Sequence, residues 1–378
     1  MMFDKVIART TILAALVSSS LAFLLHAGCR ATNYQVDVFN RFCYSDLAVY
    51  VQEGVVAFSG NSPAVAPLSH VLLWILGGLP SFEYKVVVLQ LIVTLALVTT
   101  ALTLQVFRGK NTYDGVLFVL LPFTPLTMFV GFDVLAIAIA SIAIYMYKQN
   151  RDSYLPWALF AIAIGIDGWT WIVVASVIVY EIIDKRIAVL FQRMPVVVLT
   201  LGIINIPIAL TTRNYFNITP VMGDGTAAYI LSRIGNYEAP TNFTSYFFGL
   251  LVLGAFSIWF FWRFKKHRFR FELVLLLFVC VQTLSTNAIS AGGVSHVLWA
   301  LFLAYPVKNF IIGISTLFSF WVAAVWLHAE KLIGERGIDF SWYVIAAVLV
   351  WISIFYSGFK AVEVVQTPGK DPVLNGSV

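Results

Sequence analysis

Long apolar runs broken by short charged turns set the rhythm of this chain. Runs at 7–28, 85–107, 114–131, 133–147, 154–168, 169–184, 194–211, 245–262, 271–288, 296–307, 309–329 and 340–359 each read as a spanning helix or as one arm of a helical hairpin. A bilayer crossing takes about 20 predominantly apolar residues, and several of these runs are shorter, so the pattern predicts about ten to twelve transmembrane helices. The run Pro67–Pro80 is shorter again and ends in Gly77-Gly78-Leu79-Pro80, which reads as a re-entrant or interfacial piece. Two polar segments, 29–66 and 212–244, interrupt the rhythm. Within the first, 45–58 has helical spacing: Asp46, Tyr50 and Glu53 share one face, and Leu47, Val51, Val55 and Phe58 another. That pattern predicts an amphipathic helix lying on the membrane interface. The Pro/Gly-rich tail 367–378 is expected to be disordered, which leaves 1–366 as one membrane domain.

Composition agrees with the pattern. Of 378 residues, 60% are hydrophobic and 11% charged, more apolar surface than a soluble fold of this size buries. The expected class is therefore an all-α polytopic membrane protein. The 11 tryptophans fit interfacial belts. No P-loop, GxGxxG, HExxH or CxxC pattern occurs, and no polar stretch is long enough for a soluble domain. No cluster has metal-ligand spacing, so no tightly held metal is implied, and whether a divalent ion assists is left open. The three cysteines, Cys29, Cys43 and Cys280, make no disulfide framework; Cys29 and Cys43 bracket one loop and could pair, but the unpaired state is the expectation.

Charge orients the chain. If Pro67–Pro80 does not cross, 17 of the 24 Lys and Arg fall on one side, including Lys5, Arg9, Arg108, Lys110, Lys148, Arg151, Lys185, Arg186, Arg193 and the basic 263–270 turn. The positive-inside rule makes that side cytoplasmic, with both termini. Segments 29–66 and 212–244 then face outward, together with Pro67–Pro80 and the turns near Asp133, Asp167 and 290–296. Eleven of the 19 acidic residues fall on or beside this outer face. Chemistry outside is one reading; acids left there by positive-inside sorting is the other.

Single residues carry the same pair of readings. Asp46 is a candidate for chemistry, although Ser45 or Asp46 could simply cap the helix that follows. Asp133 and Asp167 interrupt long apolar stretches, where an ionisable group is costly unless it lines a cavity or forms a turn. His296 heads a short apolar run and is expected to face the outer cavity or to cap a helix start.

The run Cys43-Tyr44-Ser45-Asp46-Leu47 resembles the CYSD segment after the first helix of actinobacterial membrane glycosyltransferases of the family 87 type. These are GT-C fold enzymes, several of them polyprenyl-phosphate-mannose-dependent mannosyltransferases. Gly131-Phe132-Asp133-Val134-Leu135-Ala136 is similar to that group's NWDLLA turn. Ser295-His296-Val297-Leu298-Trp299 is similar to a segment ending VLW, which follows an outer NKxYSPQ motif whose asparagine falls at Asn287. Order and spacing hold from about residue 40 to 306. The resemblance implies a bacterial plasma-membrane enzyme that moves a sugar, mannose by this likeness alone, from a polyprenyl-phosphate donor. The acceptor would be a lipid or envelope glycan at the outer leaflet, and nucleic acid plays no part. It implies Asp46 as the base of an inverting transfer. Tyr50 and Glu53 would bind sugar hydroxyls, and Asp133, with Asp167 beside it, would orient sugar or acceptor. His296, Arg213 and Arg233 are the outer-side groups able to meet a phosphate.

Two lysines of the family pattern are missing: one near Asp167-Gly168-Trp169, and one after Asn287, where this chain has Ala288. Their loss keeps open a non-catalytic partner subunit derived from the same family. A transporter or flippase of a lipid-linked saccharide is a further alternative, using the same outer cavity without a base; the hydropathy shows no two-fold repeat in its favour.

Overall fold

The computed structural model describes residues 5–34, 37–48, 66–108, 113–211, 226–235, 251–252, 254–260, 262, 270–285, 289–304, 308–334 and 336–366. Tyr50, Glu53, Arg213, Asn287 and the tail 367–378 lie outside these residues. Among the described residues all regular structure is helical, as the apolar pattern predicts. Five helices are long and apolar enough to cross a membrane: Lys5–Leu25, Phe82–Phe107, Ile187–Leu210, Lys308–Ile333 and Phe340–Val362. That fits a multi-pass chain.

The chain divides into two compact units. The first comprises Met1–Trp171, Phe191–Thr219 and Trp326–Gly337; the second comprises Ile172–Leu190, Pro220–Val325 and Ile338–Val378.

In the first unit, α1 (Lys5–Leu25) is followed by a short α2 (Ala27–Ala31) and, further along the chain, by α3 (Pro67–Gly77). Pro67 opens α3, where a missing N–H costs nothing. Its 11 residues rise about 17 Å, roughly half of a hydrocarbon core, so α3 does not span as a helix. The long α4 (Phe82–Arg108) packs against α1, and small and polar residues bring the two together. Ser19 and Thr94 share a hydrogen bond of 2.5 Å, and Gln90 Nε2 donates to the Ser19 carbonyl at 3.0 Å. Such bonds satisfy polar groups that lipid cannot.

The run 114–131 is not one helix. It divides into α5 (Asp114–Leu120) and α6 (Phe123–Thr127) because Pro122 forces Leu121 into an extended conformation, ψ 140°. Close approach of α5 to α4 depends on Gly115, where a Cβ would lie 2.3 Å from the Ala101 carbonyl oxygen. Next, α7 (Asp133–Gln149) and α8 (Leu155–Ile166) form an antiparallel hairpin resting on α4. A 3₁₀ turn, Gly168–Thr170, then leads into α9 (Trp171–Ile183). The break at Asp167 is where the sequence divides 154–184. Finally, α10 (Ile187–Thr211) keeps its helical course through Pro195 and Pro207.

The second unit holds most of α9, then α11 (Ala227–Gly235), α12 (Phe271–Ser285), α13 (Ala291–Ala304), most of α14 (Lys308–Ile333) and α15 (Phe340–Gln366). Its core is α12 against α13 and α15, with every α13 residue from Gly292 to Ala304 buried. Trp321 Nε1 donates to the Ile289 carbonyl at 2.9 Å, and the Trp321 ring meets Tyr343 at 5.5 Å. This fixes the turn before α13 against the bundle.

Candidate functional site

The segment that follows α1 begins with a covalent clamp. Cys29 and Cys43 form a disulfide with Cα atoms 6.4 Å apart, contrary to the expectation of unpaired thiols. Asn33, Tyr34, Asp37 and Phe42 all take positive φ, and these tight turns bring the two cysteines together. Both sulfurs are buried with Tyr34 and Ala48, and Val38 and Phe82 pack alongside.

Three residues beyond the clamp stands Asp46. The Ser45 hydroxyl donates to the Phe129 carbonyl and accepts the Ala48 N–H at 3.1 Å, so Ser45 is the helix cap. The Asp46 N–H donates to the Val130 carbonyl at 3.1 Å, tying this segment to the turn before α7. The Asp46 carboxylate is thereby relieved of capping. Its Oδ1 accepts the Tyr44 hydroxyl. The Tyr44 ring stacks on Phe39 at 4.9 Å and lies 6.3 Å from Trp326. Burial holds the Asp46 carboxyl above its ordinary value of 3.8, against the opposing pull of the Tyr44 hydrogen bond.

Asp133 is the first residue of α7, where the helix dipole favours a negative charge. Gly131 makes room for it: a Cβ there would come within 2.6 Å of Asp133 Oδ2. At the far end of the α7–α8 hairpin's second arm, Asp167 caps the 3₁₀ turn, its Oδ1 accepting the Trp169 N–H at 3.1 Å. Oxygens of Asp133 and Asp167 lie within 4.8 Å of each other. The charges of Asp167 and Asp46 both act on Asp133, so three carboxyls from distant parts of the sequence converge at one end of the first unit. Asp167 is thus both a turn residue and a member of this cluster.

The remaining described sequence candidates, His296 and Arg233, belong to the second unit. His296 belongs to the second unit and is fully buried in the second turn of α13, not at a helix start. Ser290 takes the capping position instead, its Oγ accepting the Gly293 N–H at 3.1 Å. His296 Nδ1 donates to the Gly292 carbonyl at 2.8 Å, and the ring stands edge-on to Trp299 at 6.4 Å. Arg233 is exposed in the last turn of α11 in the same unit. Sequence alone gives Tyr44 no role; only its position, two residues before Asp46, hints at its contact.

No protein-family model matches this chain, and no curated protein does.

Proposed function

We propose that this chain is an integral membrane glycosyltransferase of the GT-C type, with about ten to twelve helices crossing or entering the bilayer. It would move a sugar, mannose by resemblance, from a polyprenyl-phosphate donor to a lipid or envelope-glycan acceptor at the outer leaflet. The observation that carries this reading is the treatment of Asp46: capping falls to Ser45, and the carboxylate is held by Tyr44 close enough to Asp133 for the two charges to act on each other. In the transfer, the Asp46 carboxylate accepts the proton of an acceptor hydroxyl. That oxygen bonds to the anomeric carbon, the carbon–phosphate-oxygen bond breaks, and the configuration inverts. A partly buried carboxyl raised above its ordinary value is the stronger base for this work. Asp133 and Asp167 orient sugar hydroxyls.

The test uses purified protein in lipid, a radiolabelled polyprenyl-phosphate-mannose donor and membrane lipid extract as acceptor. Labelled product from the wild type and none from Asp46→Asn supports transfer with Asp46 as base. Product from both removes Asp46 from that role and turns attention to Asp133. No product from either counts against the donor class and favours the transporter and partner-subunit alternatives.

A further inference from the structure

The opposite end of the α7–α8 hairpin has a different chemistry. The 17 residues of α7 rise about 25 Å, so the α7–α8 turn stands that far from the carboxylates. Three cations here each lie over an aromatic ring: Lys148 over Phe107 at 5.1 Å, Arg151 over Tyr147 at 5.7 Å and Arg193 over Tyr154 at 3.5 Å.

Arg193 is the exceptional one. It is 9% exposed, and its Nε and Nη1 are enclosed without a hydrogen-bond partner among the described residues. A guanidinium removed from water is costly unless an anion and acceptor oxygens answer it, and a single tyrosine face supplies neither. Sequence position sets its depth. Arg193 lies in the second turn of a helix whose apolar span, Ile187–Leu210, has 24 residues and rises about 36 Å, against a hydrocarbon core of about 30 Å. The excess of about 6 Å covers one turn, so the Arg193 backbone, about 9 Å from the helix start, lies just inside that boundary, and its long side chain, leaning toward the helix N-terminus, reaches the headgroup layer. Tyr154, beneath the guanidinium, is the N-cap residue of α8, and its side chain makes no cap hydrogen bond. A cation-bearing, ring-lined end at that depth is complementary to phosphate, and planar guanidinium binds phosphate in a fork.

We propose that this end of the first unit is a binding site for an anionic phospholipid headgroup, with Arg193 as its principal phosphate ligand. In the topology expected from positive-inside sorting, the lipid belongs to the cytoplasmic leaflet. The site is independent of the transfer reaction, and its occupant anchors the base of the hairpin that carries Asp133 and Asp167 at its other end.

The test places full-length protein in nanodiscs of phosphatidylcholine with one fifth phosphatidylglycerol and counts retained lipid by native mass spectrometry. Wild type is expected to retain phosphatidylglycerol in preference to phosphatidylcholine. Arg193→Gln is expected to lower that occupancy about tenfold or more. Arg193→Lys, which keeps the charge and loses the fork, serves if the first variant does not fold, and it should fall in between. Lys185→Gln, at an exposed cation, should leave occupancy unchanged. Equal retention by wild type and Arg193→Gln overturns the proposal, as does equal loss in Lys185→Gln. A parallel arm adds inorganic phosphate to pure phosphatidylcholine discs. Thermal stabilisation there that disappears in Arg193→Gln would assign the site to a soluble phosphate and overturn the lipid.

Discussion

At one end of the α7–α8 hairpin, polar groups answer one another; at the other, cations rest on rings. The carboxylate end is densely bonded, with Ser45 on Phe129, Asp46 on Val130 and Tyr44, and Asp167 on its own turn. At the basic end, Arg193 has a ring beneath it and no hydrogen bond to Nε or Nη1 from the described residues. The contrast teaches how a membrane protein divides its work. Groups that must hold a fixed geometry are bonded within the chain, whereas groups that meet the bilayer leave their last partner to it.

Breaking the carboxylate end should have the largest consequence. Asp46→Asn removes the proposed base with little change of shape, and the proposed transfer should slow about 10²–10⁴-fold, read from labelled product. Arg193→Gln, at the opposite end, should leave that rate within a few-fold of wild type if the two ends are as separate as the hairpin suggests.

Opening the clamp comes next. Cys43→Ser frees a loop of about 14 residues, and stability should fall by about 3 kcal/mol in denaturant unfolding. Because Cys43 lies three residues before Asp46, activity should fall with it.

Tyr44→Phe sharpens the comparison by weakening the aim of Asp46 without touching its charge. The lost hydrogen bond had favoured the carboxylate, so the acid limb of the rate profile should move to higher pH and the rate should drop about tenfold. Stability moves the other way with pH. A folded-state carboxyl raised above 3.8 makes the folded chain bind its proton more tightly than the unfolded chain does. Its contribution to stability is therefore full below the unfolded value and is lost as pH rises through the folded one. Activity should rise over that same window. Ser45→Ala should cost least, about 1 kcal/mol for the lost cap, measured by thermal unfolding.

Much of the fold was legible. Hydropathy marked α1, α4, α7 and α14 to within about four residues and placed the break at Asp167, but it began α10 seven residues late and ended α15 seven residues early. It failed where local chemistry overrules apolarity. Pro122 divides 114–131, a stop that was plain in the sequence but hidden by the continuous apolar run. Ser290 starts α13 at Ala291, five residues before His296, so the histidine lies inside the helix and not at its head. For the site, resemblance singled out Asp46 and Asp133, and the cost of a carboxylate in an apolar stretch singled out Asp133 and Asp167. Their convergence was not legible, because 87 residues separate Asp46 from Asp133 and no periodicity spans that distance. The disulfide was missed for a similar reason: its closure depends on four residues with positive φ, only two of which, Asn33 and Asp37, are of types that favour it.

The most direct test of Asp46 as the base is the pH dependence of transfer by wild type and Asp46→Asn, measured under single-turnover conditions with the labelled donor. The account predicts a wild-type rate that falls as pH drops through a value above 3.8, and a slow residual rate in the variant that is flat across the same range. An acid limb that persists unchanged in Asp46→Asn would contradict it and assign the titrating group to another residue.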